Sequence, residues 1–355
     1  MQDLEYIKKA ILMAQKTKGY ELPNPAVGSL IVKDNKIIGQ GTHLNFGKNH
    51  AEINAMEEAL SNGFSLEGST IYSTLEPCSK VGKTPSCVDR IIKAGIKRVV
   101  FGSTDPSDNN SHNKFNNKNI EVLGEVLKKD CDKLIKSFLW NIKTETPYVC
   151  AKVAMTIDGY IATKTNDSKW ITSLETREYS RKKRSQYQGI LVGCNTILND
   201  DPQLNVRQKG YKDPIIIVID PNNKIDYSNL NINKSNTKKI VFCSKEIVQD
   251  NYKTIITKQE TLSTKYILES LWSIGIKSIL VEGGSNTLNR FIDSGDVNEI
   301  NLYIGNKILG DVNSLSAFNF KGVDKINEAQ EWELEFLEKI NNDIYVEYKY
   351  QTKEK

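Results

Sequence analysis

Four residues in the first quarter of the chain could form a catalytic zinc site: His50, Glu52, Cys78 and Cys87. Zinc in proteins favours imidazole and thiolate ligands in tetrahedral geometry, and a catalytic site uses three of them and keeps one position for water. His50, Cys78 and Cys87 supply the three ligands, and zinc lowers the pKa of its bound water towards neutrality. Glu52, two residues after the histidine, reaches the same space and would carry the proton rather than bind the metal.

The order of these residues matches the signature of zinc deaminases, H-x-E followed by P-C-x-x-C, except that eight residues separate the cysteines. Cys87 begins a predicted helix, and a helix N-terminus stabilises a thiolate. Simpler interpretations exist: HAE alone is an ordinary helix start, and a cysteine pair alone is usually core. A closed structural site would need a fourth ligand, but His43 and His112 lack the spacing of a zinc finger. The other four cysteines stand singly in apolar or strand-like contexts typical of a core.

Length and composition restrict the class of protein. The chain has 355 residues, which is more than one hydrophobic core usually organises, so two domains are expected. Its 48 basic residues nearly balance its 44 acidic ones, which is a weak electrostatic basis for binding nucleic acid. No apolar run approaches the roughly 20 residues of a membrane helix, and the N-terminus lacks the apolar region of a signal peptide. We therefore expect a cytoplasmic enzyme without nucleic-acid or membrane partners.

Hydrophobic periodicity predicts two α/β patterns joined by a polar linker at 143–147. In the first pattern we expect a hairpin at 34–35, strands at 69–75, 96–102 and near 122, helices at 3–17, 50–60, 87–94 and 125–140, and a polar loop at 103–119. In the second we expect strands at 189–193, 214–220, 238–244, 278–284, 300–305 and 343–350, and helices at 173–187, 261–274 and 285–294.

Several longer segments carry a resemblance to a known family. They are PNPAVGSLIV, HAE, STLEPCSKVGKTPSC and IIKAGIKRVVFGSTDP in the first half, and AKVAMTIDGYIAT, DSKWIT, ILVGCNTILNDDPQLNVR and ILVEGGSNTLNRF in the second. In this order, over residues 3–310, they resemble the bifunctional riboflavin-biosynthesis deaminase/reductase family. The resemblance implies a cytidine-deaminase-like three-layer α/β/α domain over 1–143, a zinc-dependent pyrimidine deaminase, and a dihydrofolate-reductase-like α/β domain over 147–350, an NADPH-dependent reductase. It also accounts for the long spacing of the cysteines.

The resemblance implies two reactions on small phosphorylated pyrimidines. The first would deaminate 2,5-diamino-6-(5-phosphoribosylamino)pyrimidin-4-one, with Asn24 and His43 holding the ring and Lys83 near the substrate. Asn24 between two prolines is equally typical of a turn, and Lys83 of a solvated loop. The chain departs from the family at Lys80, where a histidine is usual, and at 107–115, where the usual glycines are missing. These departures concern the substrate loop and leave the metal ligands and Glu52 untouched.

The second reaction would use NADPH to reduce the ribosyl group to ribityl. A strand, two glycines and a helix from about Ser285 suit an anion, but they are not the G-x-G-x-x-G motif, and a Gly-Gly turn after a strand is also common without a ligand. By resemblance, the NADPH-binding residues would be Ala154, Trp170, Thr196, Asp200, Gly284, Ser285, Asn286, Thr287, Leu288, Asn289 and Arg290. By resemblance, the substrate would bind to Ser168, Arg184, Leu204, Arg207 and Glu282. Arginines suit a phosphate, but a basic helix face such as RKKR is usually only solvated, and Trp170 is equally typical of a core.

Three questions stay open at the level of sequence. Asp158 is either a catalytic acid or the turn residue before Gly159, and the Asp-Gly pair favours the turn. A nucleic-acid-editing deaminase shares the zinc signature, although the balanced charge argues against it. A zinc-stabilised binding protein with a vestigial reductase domain would not need Glu52. The resemblance also implies a homo-oligomer.

Overall fold

Strands and helices alternate along the chain and build two α/β units. The computed structural model describes residues 2–80, 86–108 and 111–351. The first unit ends at Glu145 and the second begins at Thr146. Within the described ranges, none of the helices combines the length and the apolarity that crossing a membrane would require.

The first unit is a five-stranded sheet with helices on both faces. Its helices are α1 (Gln2–Thr17), α2 (Ala51–Ser61), α3 (Cys87–Lys93), α4 (Ser111–Asn116), α5 (Lys128–Leu134) and α6 (Lys136–Thr144). Its strands are β1 (Gly28–Lys33), β2 (Lys36–Thr42), β3 (Thr70–Leu75), β4 (Arg98–Ser103) and β5 (Glu121–Leu123). The order is β2-β1-β3-β4-β5, with β1 antiparallel to both neighbours and the last three strands parallel.

Side chains alternate between the two faces of this sheet and bury two apolar layers. On β1, Leu30 and Val32 belong to the same buried cluster as Ile7 of α1, whereas Ile31 belongs to the cluster of Ile53 of α2. This period of two is the geometry of a strand that is covered on both sides. Two layers of helices therefore enclose the sheet, as expected for a three-layer α/β/α domain.

Gly41 on β2 allows α2 to lie very close to the sheet. A Cβ at this position would come within 2.3 Å of the carbonyl oxygen of Ala51 and within 2.4 Å of the amide nitrogen of Ala55. Only a residue without a side chain permits this approach. The contact fixes the first turn of α2, which follows His50 and contains Glu52.

Two predictions about elements of this unit were wrong. Residues 103–119, predicted as a polar loop, contain α4, and Phe115 of this helix is buried in the core. The single helix predicted for 125–140 is two helices, α5 and α6, which meet at Ile135. Ile135 is buried and has a φ of −112°, outside the helical region, so the chain changes direction where this side chain enters the core.

The second unit contains the remaining elements. Its helices are α7 (Leu174–Lys183), α8 (Cys194–Asp200), α9 (Thr264–Ser273) and α10 (Ser285–Asp293). Its strands are β6 (Tyr148–Thr156), β7 (Tyr160–Ala162), β8 (Gly189–Gly193), β9 (Ile215–Ile219), β10 (Lys239–Cys243), β11 (Tyr252–Ile256), β12 (Ser278–Val281), β13 (Glu299–Gly305), β14 (Leu315–Ser316), β15 (Trp332–Ile340) and β16 (Asp343–Tyr350).

A nine-stranded sheet dominates this unit. Its order is β11-β10-β9-β8-β12-β6-β13-β16-β15, in which the strands from β11 to β13 run parallel and β16 and β15 run antiparallel to their neighbours. The carboxyl ends of the parallel strands meet at one edge of the sheet, which is where ligands bind in sheets of this kind. Strands β7 and β14 pair separately.

Candidate metal centre and reductase cavity

The three predicted metal ligands lie together in the first unit. His50 immediately precedes α2, Cys78 follows β3, and Cys87 is the first residue of α3. The Nδ1 atom of His50 is 3.5 Å from the Sγ atom of Cys78 and 3.4 Å from that of Cys87. Tetrahedral bonds of about 2.0 Å to nitrogen and about 2.3 Å to sulfur require about 3.5 Å between these donor atoms. The spacing of the three side chains therefore fits one zinc ion.

The electrostatics of this cluster favour a thiolate at Cys78. A hydrogen bond from Cys87, supported by one from His50, lowers the pKa of the Cys78 thiol to about 4. Cys87 lies in the first turn of α3, and Ser86 caps this helix by accepting a hydrogen bond from the amide of Asp89 at 3.2 Å. The partial positive charge of a helix N-terminus favours the thiolate that zinc requires.

Glu52 is a buried carboxyl beside these three side chains. It belongs to the first turn of α2 and is 4% exposed. Burial raises the pKa of Glu52 to about 7, although the neighbouring His50 opposes the rise. A carboxyl whose pKa lies near neutrality can both accept and return a proton at pH 7. This position and this pKa suit the proton carrier that the sequence predicts.

Asn24 and His43 form a hydrogen-bonded pair at the edge of the cluster. The side-chain amide of Asn24 donates to Nε2 of His43 at 2.9 Å, and Nδ1 of His43 donates to the carbonyl oxygen of Asn49 at 2.9 Å. These two contacts fix the orientation of the imidazole ring. The ring of His43 lies edge-on to that of His50, with 5.5 Å between the ring centres. Lys83, the third predicted substrate residue, lies outside the described residues.

Side-chain hydrogen bonds connect the described part of segment 107–115 to the loop that contains Cys78. Glu76 accepts a hydrogen bond from Nδ1 of His112 at 3.2 Å, and Asp108 accepts one from the hydroxyl of Ser79 at 2.6 Å. The Nζ atom of Lys80 donates to a backbone carbonyl of the same segment. Polar contacts thus hold the described part of this segment against the loop of Cys78, and Lys80 takes part in them.

The second unit contains a cavity of about 1230 Å³ at the carboxyl ends of the central parallel strands. Ligand cavities usually measure roughly 300–1,000 Å³, so this one has room for a cofactor and a second molecule. Of the predicted NADPH residues, those that line it are Ala154, Trp170, Thr196, Asp200, Gly284, Ser285, Asn286, Thr287, Leu288 and Arg290. Of the predicted substrate residues, those that line it are Ser168, Arg184, Arg207 and Glu282.

Two predicted residues have side chains outside this cavity lining. The side-chain amide of Asn289 donates to the hydroxyl of Ser285 at 3.0 Å within α10. Leu204 is buried in the apolar cluster of β8 and β9. Trp170, by contrast, is 57% exposed, so its interpretation as a core residue was wrong.

The beginning of α10 offers backbone donors to the cavity. Gly284 immediately precedes the helix and, among the described residues, no side chain caps it. The amide of Gly284 donates to the hydroxyl of Thr196 at 3.2 Å, which joins the segments that follow β8 and β12. The first amides of a helix have no partner within the helix and suit a phosphate. The residues present therefore fit the phosphates of a dinucleotide.

Lys152, Arg177 and Arg181 are among the cavity residues that sequence reasoning missed. Lys152 on β6 is half-buried, and its desolvation lowers its pKa. The guanidinium of Arg177 lies 4.0 Å from the ring centre of Trp170. Arg177, Arg181 and Arg184 are four and three residues apart, which places them on one face of a helix. This spacing was the available signal for Arg181.

The carboxylate of Asp158 accepts several local hydrogen bonds. Its carboxylate accepts from the hydroxyl of Thr156 at 2.6 Å and from the amides of Leu309 at 3.0 Å and Gly310 at 2.8 Å. These contacts, that of Thr156 first, lower the pKa of Asp158. The structure therefore supports the turn interpretation over that of a catalytic acid.

Known proteins match both halves of the chain. Residues 147–346 match the RibD C-terminal domain, and residues 1–103 match the zinc-binding region of cytidine and deoxycytidylate deaminases. Riboflavin biosynthesis protein RibD of Aquifex aeolicus is 37% identical over 98% of both chains. RibD of Escherichia coli is 30% identical over 97% of this chain and 98% of its own.

A solved structure agrees with these matches over the full length. It is the diaminohydroxyphosphoribosylaminopyrimidine deaminase/5-amino-6-(5-phosphoribosylamino)uracil reductase of Thermotoga maritima, with a TM-score of 0.90 and 34% identity over 99% of each chain.

A zinc-binding deaminase domain followed by a reductase domain defines a bifunctional enzyme, with a cytidine-deaminase-like fold in the first half and a dihydrofolate-reductase-like fold in the second. The chain belongs to the RibD family of riboflavin biosynthesis proteins. It is a deaminase and a reductase of riboflavin biosynthesis whose cofactors are zinc and NADPH. The family, the fold class, the two activities and the cofactors predicted from the sequence are thereby confirmed.

Proposed function

We propose that residues 1–143 deaminate 2,5-diamino-6-(5-phosphoribosylamino)pyrimidin-4-one to 5-amino-6-(5-phosphoribosylamino)uracil, and that residues 147–350 then reduce the ribosyl group to ribityl. The observation that carries this proposal is the convergence of the donor atoms of His50, Cys78 and Cys87 beside the buried carboxyl of Glu52. The solved relative from Thermotoga maritima is named for the same pair of activities.

In the deaminase, each residue has a separate task. His50, Cys78 and Cys87 hold zinc, which when bound makes a water molecule reactive at neutral pH. Glu52 would take a proton from the attacking water and deliver it to the amino nitrogen, so that this nitrogen leaves as ammonia. Asn24, whose amide bonds to His43, helps this histidine to orient the pyrimidine. Lys83, which lies outside the described residues, is the third residue proposed to bind the substrate.

In the reductase, the cavity brings the cofactor and the sugar together. NADPH, when bound, supplies the hydride for C1′ of the ribosylamino group. The amides that begin α10 bind its phosphates. The rest of the molecule is bound by Ala154, Trp170, Thr196, Asp200 and the residues from Gly284 to Arg290. Ser168, Arg184, Arg207, Glu282 and the backbone at Leu204 hold the substrate. Addition of a hydride to C1′ would break the bond from C1′ to the ring oxygen, which takes up a proton, and leave a ribitylamino chain.

A two-channel assay of the purified full chain tests this function. Ammonia release is followed with the diaminopyrimidine ribotide, and NADPH oxidation with the deaminated ribotide. Glu52→Gln is expected to lower ammonia release by about 10²–10⁴-fold, since it removes the proton carrier, while zinc content and NADPH oxidation stay unchanged. Persistent ammonia release in this variant, or turnover of RNA instead of the ribotide, would refute the proposal.

We also infer a homo-oligomer that works in the cytoplasm on small phosphorylated pyrimidines, without nucleic-acid or membrane partners. Membership of the RibD family and the balanced charge of 48 basic and 44 acidic residues support this inference. Light scattering of the eluting protein and cell fractionation test it, and a monomer or a membrane-bound pool would contradict it.

A further inference from the structure

Helix α7 and the turn after it carry three arginines along the reductase cavity: Arg177, Arg181 and Arg184. The helix is fixed to the sheet on another side, where Nζ of Lys183 bonds to Glu347 of β16 at 2.7 Å. Because a helix that is packed in this way is rigid, the arginines enter the cavity in defined directions.

Two of the three guanidinium groups are already engaged. Arg184 bonds to Glu282 through Nε at 2.9 Å and Nη2 at 2.7 Å, and its Nη1 donates to the carbonyl oxygen of Asn205 at 2.9 Å. Arg177 lies over the ring of Trp170 at 4.0 Å. The charge of Arg184 is therefore compensated by a carboxylate, and the face of Arg177 is covered.

The charge of Arg181 is compensated less completely, by an ion pair with Glu178. Among the described residues, its Nε is buried and has no hydrogen-bond partner. Its Nη2 lies 3.7 Å from Glu178, beyond hydrogen-bond distance, and the side chain of Glu178 is 53% exposed. Burial, together with the charges of Arg207, Arg184 and Arg177, lowers the pKa of Arg181. A buried N–H group without an acceptor and a group of mutually repelling cations are both unfavourable, and an anion relieves both.

We propose that Arg181 binds the phosphate group of the reductase substrate and makes the reductase selective for the phosphorylated sugar. This inference rests on the proposed function. A guanidinium offers forked, permanently charged donors that match a phosphate. The Nε of Arg181 is such a donor, and it has no acceptor among the described residues. The phosphates of NADPH have the same chemistry, but the first turn of α10 already offers them backbone donors, so the observations favour the substrate.

Steady-state NADPH oxidation by the full chain tests this proposal. The substrates are 5-amino-6-(5-phosphoribosylamino)uracil and its dephosphorylated form. Arg181→Ala is expected to raise the KM of the phosphorylated substrate by about 10–100-fold, the worth of a charge-assisted hydrogen bond. The KM of the dephosphorylated substrate and that of NADPH stay the same, and Arg181→Lys gives an intermediate value.

Lys182→Ala is the matched control, since Lys182 is exposed and its Nζ lies 5.2 Å from the ring centre of Tyr211. It is expected to change none of the three KM values. An equal rise for both substrates in Arg181→Ala would show a structural role, and a rise for NADPH would assign the phosphate to the cofactor, so either result overturns the proposal.

A binding measurement separates this proposal from the proposed function, because it needs no turnover. Calorimetric titration with inorganic phosphate is expected to show competition with the ribotide in the wild-type chain and at least tenfold weaker binding in Arg181→Ala. Equal phosphate binding by both proteins would overturn the role of Arg181, whereas a wild-type chain that binds phosphate but does not oxidise NADPH would instead refute the reductase function.

Discussion

Arg98 on β4 holds Asp3 of α1 through two hydrogen bonds, with Nη1 2.7 Å from Oδ1 and Nη2 3.1 Å from Oδ2. The hydroxyl of Tyr72 on β3 donates to the same carboxylate at 2.8 Å. The bonds from Arg98 are the main reason that the pKa of Asp3 is lowered. The N-terminal helix is therefore joined to the sheet by a contact whose strength depends on pH.

Replacing Asp3 by Asn is expected to lower the free energy of unfolding by about 1–3 kcal/mol at pH 7, since a hydrogen-bonded charge is lost. The pKa of Asp3 is lower in the folded than in the unfolded state. Its stabilisation is therefore fully present above the unfolded pKa, near 4, and disappears as the pH falls through the folded pKa. Denaturant unfolding between about pH 3 and 7 measures this difference, and Glu5→Gln in the same helical turn is the control. A difference that does not shrink in acid would contradict the assignment.

Cys78→Ser is expected to reduce zinc from about one per chain to a small fraction, because a tetrahedral site with three protein ligands tolerates the loss of a thiolate poorly. Ammonia release falls with the metal, while NADPH oxidation with the deaminated ribotide continues. Metal analysis and the two assays measure these effects. Cys131→Ser removes a buried thiol of the same unit and serves as the control. Equal zinc contents in the two variants would show that Cys78 is not a ligand.

Gly41→Ala is expected to displace α2, because the new Cβ would overlap the backbone of Ala51 and Ala55. Overpacking of this kind costs about 1–3 kcal/mol, and the shift moves His50 and Glu52 away from the cysteines. We expect lower stability and lower ammonia release together. A Cβ on Gly322 meets open space, so Gly322→Ala is the matched control. Unchanged deaminase activity in Gly41→Ala would mean that this contact does not position the metal centre.

The grouping of the metal-site residues could be predicted because zinc restricts both the type and the number of its ligands. The residue types and order of His50, Cys78 and Cys87 predict a zinc site without knowledge of the fold. The structure brings their donor atoms together. The central strands β8, β9, β10 and β12 were predictable for a similar reason. Each is a short apolar run, and burial on both faces of a parallel sheet requires such runs.

Elements that depend on distant contacts were not predictable. Helix α4 has no apolar periodicity, and His112 and Phe115 are held by Glu76 and by the core. Strand β15 was missed because a bulge between Leu334 and Phe336 interrupts the alternation that identifies a strand. Arg181 lies in a basic run that is typical of a solvated helix, and only the folded chain brings Arg207 close to it.

Arg184 and Glu282 are expected to depend on each other for their contribution to stability. Their side chains are 13% and 6% exposed, so removing one partner leaves a nearly buried charge without compensation. Glu282→Leu or Arg184→Met alone should then lower the free energy of unfolding by about 3–5 kcal/mol, and the double variant by clearly less than the sum of the two.

Denaturant unfolding of the four proteins closes this double-mutant cycle. All three variants should lose NADPH oxidation, because both residues line the reductase cavity. Ammonia release is the internal control, since the residues proposed to catalyse it lie in the first unit. If the losses in stability of the two single variants simply add, the two side chains are not coupled. The guanidinium of Arg184 would then be as available to bind a phosphate as that of Arg181.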